Sequence, residues 1–239
     1  MRIPISDRAF GILIVFATLG LPCVATVYLL VTAPERQTRG DVRDQIDVIL
    51  AGRRDYIFVS NEIRDAGMDE FLKARNDLAK AKPFQLLIEY SHDTDDFLEQ
   101  IVGLRNVDRL LLGKNDVTDA GMSYVATLPD LKSLTLYEVR ITDAGLKKLA
   151  SSPTLERLEF APREGTQVTI PALLALPHLR RLQVYEPYED DWLKRNLKEF
   201  EQANSLDELT LIGEFAEEEV QALREKLPNC KVKAQSNGK

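Results

Sequence analysis

Leu131-Lys132-Ser133-Leu134-Thr135-Leu136-Tyr137, followed by Ile141-Thr142-Asp143-Ala144-Gly145-Leu146, is the stretch on which the fold turns. Leu134 and Leu136 alternate, so both point to one face of a strand. Thr142 or Asp143 can cap the next helix, because either side-chain oxygen accepts an orphan N–H. Leu146 and Leu149 then share one helical face. Moving outward in steps of 24 residues, the pattern returns. Val117-Thr118-Asp119-Ala120-Gly121-Met122 matches the second half one step upstream. Leu155-x-x-Leu158-x-Phe160 and Leu179-x-x-Leu182-x-Val184 repeat the first half downstream, while Val107-x-x-Leu110-x-Leu112 and Pro83-x-x-Leu86-x-Ile88 repeat it upstream, with Thr94-Asp95 in frame. Leu206-x-x-Leu209-x-Leu211 follows after 27, and a looser copy puts its strand at Tyr56-x-Phe58, ahead of Ile63-Arg64-Asp65-Ala66-Gly67-Met68.

Two submotifs that keep one period define a repeat architecture. Pro129, Pro153 and Pro177 each stand where a helix must stop. Gly67, Gly121 and Gly145 fall in a first helical turn, where a missing side chain lets the neighbouring unit approach. One strand–loop–helix unit alone leaves both faces half-buried; stacking completes the core. Strands about 4.8 Å apart inside, and wider helices outside, predict a curved stack.

These residues resemble leucine-rich repeats of the ribonuclease-inhibitor-like and cysteine-containing classes, over residues 55–234. The Thr-Asp-Ala-Gly element is the most specific part of the match. The resemblance implies an α/β leucine-rich-repeat solenoid of about seven repeats, with strands on the concave face and helices on the convex one. It departs from the family pattern at one position. The Asn or Cys that such repeats place three residues after the second strand leucine is here Ser91, Asn115, Val139, Arg163, Pro187 and Glu214, and only Asn115 conforms.

Ahead of the repeats, Phe10 to Thr32 holds no charged residue, enough apolar chain to span a bilayer as one helix. A cleaved signal peptide has a shorter apolar region and small residues at its cleavage site, and a core helix has a polar face; the uncleaved anchor fits better than either. This gives a short tail at 1–9, a transmembrane anchor at 10–32, a linker and N-terminal cap helix at 33–54, repeats at 55–234 and a disordered tail at 235–239. Val42, Ile46, Ile49 and Leu50 form the stripe of the cap helix. At the far end, Ala216 to Lys226 predicts a charged helix and Cys230-x-Val232 a last edge strand, guarded by Lys231 and Lys233. Arginines flank the anchor on both sides, and its short leading tail favours a bacterial inner-membrane protein with the repeats extracytoplasmic.

The chain has 239 residues, 44% of them hydrophobic, and a net charge of −7. Arg2, Asp7 and Arg8 leave residues 1–32 at +1, so the remainder carries −8. Such a surface repels phosphate backbones and predicts no nucleic-acid partner. Cys23 and Cys230 lie too far apart in the scheme to pair, and His92 and His178 make no histidine metal site. Phosphate-loop, nucleophile-elbow and zinc-protease motifs are all missing. Neither a catalytic residue, a cofactor nor a metal is expected. The cluster Asp93, Asp95 and Asp96 reads as a solvated helix start rather than a cation site.

The repeat frame places three columns on the concave face: Gln85, Arg109, Ser133, Arg157, Arg181 and Glu208; Leu87, Leu111, Thr135, Glu159, Gln183 and Thr210; and Glu89, Gly113, Tyr137, Ala161, Tyr185 and Ile212. Arginine and tyrosine are common protein-binding anchors. The candidate protein-binding residues are therefore Arg109, Thr135, Tyr137, Arg157, Glu159, Arg181, Gln183 and Tyr185, with Trp192 from the insertion that lengthens the sixth-to-seventh step. Against this, Arg157 can pair with Glu159 or Glu186, and Trp192 can plug the gap left by the insertion. The expected function is a membrane-anchored, non-enzymatic protein-interaction module. A sensor or enzyme for a small ligand or envelope sugar, and a passive envelope spacer, stand as alternatives.

Overall fold

The computed structural model describes residues 42–60, 64–92, 94–187 and 191–236. The anchor expected at Phe10 to Thr32 lies outside them, and no described helix is long and apolar enough to cross a membrane. The described chain is an α/β fold of alternating strand and helix units on one parallel sheet, an arrangement compatible with a repeat solenoid. Its strands are β1 (Tyr56–Val59), β2 (Phe84–Glu89), β3 (Val107–Gly113), β4 (Ser133–Tyr137), β5 (Arg157–Ala161), β6 (Arg181–Tyr185), β7 (Glu208–Ile212) and β8 (Lys231–Gln235), hydrogen-bonded in sequence order. Between them lie α2 (Arg64–Leu78), α3 (Thr94–Gln100), α4 (Asp119–Val125), α5 (Asp143–Leu149), α6 (Ile170–Leu174), α7 (Trp192–Arg195) with a 3₁₀ turn at Leu197–Gln202, and α8 (Glu217–Lys226); α1 (Val42–Leu50) precedes β1.

The alternating strand leucines fill the core. Leu86, Ile88, Leu110, Leu112, Leu134, Leu136, Leu158, Phe160, Leu182, Val184, Leu209 and Leu211 are all buried. The first strand departs from the frame read in the sequence. Ile57 pairs with Leu86 and Val59 with Ile88, so those two are the core residues of β1, while Tyr56 and Phe58 point the other way. A shift of one residue turns every side chain over. The Tyr-Ile-Phe-Val run is apolar throughout, and alternation cannot choose its phase. β8 extends to Gln235, one residue into the stretch expected to be a tail.

Three chemically matched links tie the central units together. Thr118, Thr142 and Thr169 each cap their helix, accepting from the backbone N–H of Ala120, Ala144 and Ala172. The aspartate of the preceding unit accepts from the same threonine twice. Asp119 takes the Thr142 backbone N–H and hydroxyl, both at 2.7 Å. Asp95 does this for Thr118 at 3.0 and 2.5 Å, and Asp143 for Thr169 at 2.8 and 3.0 Å. Threonine is thus the cap and aspartate the rivet. The glycine follows from the rivet: a Cβ on Gly121 would lie 2.2 Å from Asp95 Oδ1, and one on Gly145 would lie 2.4 Å from Asp119 Oδ1. Close approach between units is what Gly121 and Gly145 provide, as their place in the first turn implied.

The edge at β1 is sealed by a side chain. The buried Gln45 of α1 accepts from the Phe58 N–H at 2.9 Å and donates to the Phe58 carbonyl at 3.2 Å, standing in for a neighbouring strand. Val42, Ile46 and Ile49 bury the stripe of α1, whereas Leu50 is 41% exposed. Asn115, the one residue that conforms at the Asn or Cys position noted above, is buried and donates to the Ile88 carbonyl at 3.0 Å.

Candidate functional site

Strand pairing puts the three columns in register on the face opposite the core leucines. Gln85, Arg109, Ser133, Arg157, Arg181, Glu208 and Lys231 are successive partners, as are Leu87, Leu111, Thr135, Glu159, Gln183, Thr210 and Lys233. In the third column Glu89, Gly113, Tyr137 and Ala161 pair in turn, and Tyr185 pairs with Ile212. The predicted residues Arg109, Thr135, Tyr137, Arg157, Glu159, Arg181, Gln183 and Tyr185 therefore share one face. They differ in how far they are already engaged.

Glu159 is only 5% exposed. Burial pushes its carboxyl above the ordinary value of 4.5, and the Arg157 charge and a Thr135 hydrogen bond work against that shift without cancelling it. Glu208 is held below its ordinary value, chiefly by its hydrogen bond to Lys233, with the Lys231 and Arg157 charges adding to the effect. The Gln183 side-chain amide donates to the Tyr185 hydroxyl. Arg157, Thr135, Glu159 and Glu208 thus belong to an internal polar network, as the alternative reading of Arg157 and Glu159 allows. Arg109 and Arg181 do not. Both are exposed, and neither forms an ion pair among the described residues, although the Arg109 charge reaches the half-buried Asp108 and opposes the rise of its carboxyl.

Trp192 is not part of this face. It is 7% exposed, and its ring meets Phe160 edge-on, with centroids 6.0 Å apart. Phe160 belongs to the core side of β5, so the indole fills the helix layer. The insertion gives this unit a helix layer of four residues in α7 followed by a six-residue 3₁₀ turn, and Trp192, first in α7, turns its ring onto the core.

A second cluster escaped the sequence frame. Tyr90, Lys114 and Glu138 each follow a strand by one residue, at spacings of 24, and all three have left-handed backbones with φ of 50°, 46° and 51°. The Lys114 ammonium lies 5.9 Å from the Tyr90 ring centroid and 5.2 Å from that of Tyr137, and 3.9 Å from Glu138. Beneath it, burial raises the Glu89 carboxyl above its ordinary value, opposed by the Lys114 charge. A Cβ at residue 113 would lie 3.0 Å from Glu89 Oε1, a tight approach that the Glu89 side chain would have to relieve. Extending each column by one residue would have found the triplet by its period, although none of the three is a residue type that favours positive φ.

Among the described residues no group of three or more His, Cys, Asp or Glu side chains could hold a metal ion. Burial raises the Cys230 thiol above its ordinary value, which favours the unreactive protonated form. No protein-family model matches the chain, and no curated protein matches it.

Proposed function

We propose that this chain is a non-enzymatic protein-interaction module: a leucine-rich-repeat solenoid, held at a membrane by Phe10 to Thr32, that docks a partner on its concave face. Three arginines in one column carry the reading. On a chain of net charge −7, Arg109, Arg157 and Arg181 stand in register on the face opposite the core leucines. Arginine combines a forked donor with a flat apolar surface, which suits it to the centre of protein interfaces. The leucine-rich reading is supported by the buried Leu-x-Leu columns together with the Thr-Asp-Ala-Gly element. The membrane reading rests on the uncharged 23-residue segment, and the repeats are taken to be extracytoplasmic at a bacterial inner membrane.

Affinity capture of the full chain in mild detergent tests this. Wild type should recover a defined partner, and Arg157→Glu combined with Tyr185→Ala should lose it while keeping the wild-type circular dichroism. Equal recovery by a folded double variant would refute docking on this face. Protease protection of the repeats in intact cells should hold only where the enzyme is kept out of the extracytoplasmic space; digestion only after lysis of the inner membrane would overturn the orientation.

A further inference from the structure

We infer that the partner presents an extended acidic segment, which crosses strands β3 to β6 with two carboxylates four residues apart, one at Arg109 and one at Arg181. This rests on the docking reading above and adds the chemistry of what docks.

The first argument is which charges on this face are left over. Over β2 to β8 the three columns hold Arg109, Arg157, Arg181, Lys231 and Lys233 against Glu89, Glu159 and Glu208. All three acids are engaged. Glu89 lies buried within the reach of the Lys114 charge, Glu159 is buried with Thr135 and Arg157, and Glu208 is bridged to Lys233. Arg109 and Arg181 are the exposed arginines of the column, with no ion pair among the described residues; the half-buried Asp108, outside the columns, feels the Arg109 charge without bridging it. The outer layer of this face is cationic although the chain as a whole is acidic. Charge complementarity therefore selects an anionic ligand at this patch.

Spacing is the second argument. Arg109 and Arg181 are three strands apart, with Ser133 and Arg157 between them. At about 4.8 Å per strand that is roughly 14 Å. An extended peptide advances about 3.4 Å per residue and returns to the same face every second residue, so residues i and i+4 are also roughly 14 Å apart. The short Ser133 side chain leaves the crossing path open beside β4. Each guanidinium can take a carboxylate through two parallel N–H donors. A nucleic acid fits less well. Its phosphates would have to pass buried carboxylates at Glu89 and Glu159 and approach a molecule of net charge −7.

The test uses the full chain in detergent and four fluorescent probes. These are a nine-residue extended peptide with glutamates at i and i+4, its glutamine counterpart, a peptide with the two glutamates adjacent, and a single-stranded oligonucleotide. The i, i+4 peptide should bind best, weaken as salt is raised from 50 to 200 mM, and lose about tenfold in affinity with Arg109→Gln or with Arg181→Gln. Both positions are exposed, and unchanged circular dichroism would show that the variants fold. Equal binding of the glutamine peptide, tighter binding of the oligonucleotide, or insensitivity to both variants overturns the inference. Failure of every peptide, while the captured partner still depends on Arg157 and Tyr185, overturns the acidic segment alone. Loss of that dependence as well overturns the docking reading.

Discussion

Replacing Gly145 by alanine should destabilise the protein, although the same change in an ordinary helix is favourable by about 1 kcal/mol. The new methyl group would lie 2.4 Å from Asp119 Oδ1 and 3.2 Å from Asp119 Cα. Ordinary contact begins about one ångström further out than the first of these, so the carboxylate has to swing away. It then gives up the Thr142 N–H and hydroxyl, each held at 2.7 Å. Hydrogen bonds to a charged acceptor contribute about 1.5–3 kcal/mol each, and these part-buried ones belong at the lower end, giving about 3 kcal/mol together. Set against the helix-propensity gain of about 1 kcal/mol, the net loss is about 2 kcal/mol. Asp119→Ala alone removes the same two bonds and should lose about 3 kcal/mol. In the double variant the carboxylate is gone, the clash is relieved and the alanine gain returns, leaving a loss of about 2 kcal/mol rather than the 5 expected from addition. Urea unfolding followed by circular dichroism measures all four corners of the cycle, and an unchanged slope keeps the comparison valid. A Gly145→Ala protein more stable than wild type, or two strictly additive variants, would refute the rivet.

Two further changes probe the cap and the exposed face. Gln45→Leu keeps the side-chain volume of α1 but leaves the Phe58 N–H and carbonyl without their partner; a loss of about 1–3 kcal/mol is expected, together with faster hydrogen exchange at the Phe58 amide, and unchanged protection of that amide would show that Gln45 does not seal the edge. Glu159 is raised above 4.5 by burial, so its native form holds its proton more tightly than the unfolded chain does. Its contribution to stability is full below about pH 4.5 and is lost as pH rises through the native value. Glu159→Gln should therefore be more stable than wild type at pH 8, with the gap in urea midpoint closing toward pH 4.5; a gap that grows on acidification would contradict the burial argument.

The sequence made the repeat period legible because Leu134-x-Leu136 and Thr142-Asp143-Ala144-Gly145 are separate signals with one spacing. It made the three columns legible for the same reason, since a correct core phase fixes the opposite face. Three features had no such signal. Tyr56 to Val59 is apolar on both faces, so only pairing with Leu86 and Ile88 and the seal from Gln45 set its phase. Trp192 stands in an insertion, where the repeat frame does not set the direction of the ring. The turn at Tyr90, Lys114 and Glu138 needs left-handed backbone from residues that ordinarily avoid it, by about 1 kcal/mol or more each. Composition also misled in one respect. The net charge of −7 describes the whole chain, whereas the exposed charge on one face depends on which carboxylates are buried there.

The rivets and the arginine column belong to one argument. Asp95, Asp119 and Asp143 tie together the units that carry β2 to β5, and Arg109 and Arg157 lie on two of those strands. Beyond that region the series stops, because Ile170 stands where an aspartate would hold the next unit and the longer step follows. A surface that recognises two carboxylates by their separation needs that separation to be rigid, since an uncertainty of one strand spacing would admit a peptide with its acids in a different register. Arg181 stands on β6, one strand beyond the last rivet, where it pairs with Arg157 in the sheet, and the irregular part of the helix layer begins in that same unit, with Trp192 and the 3₁₀ turn.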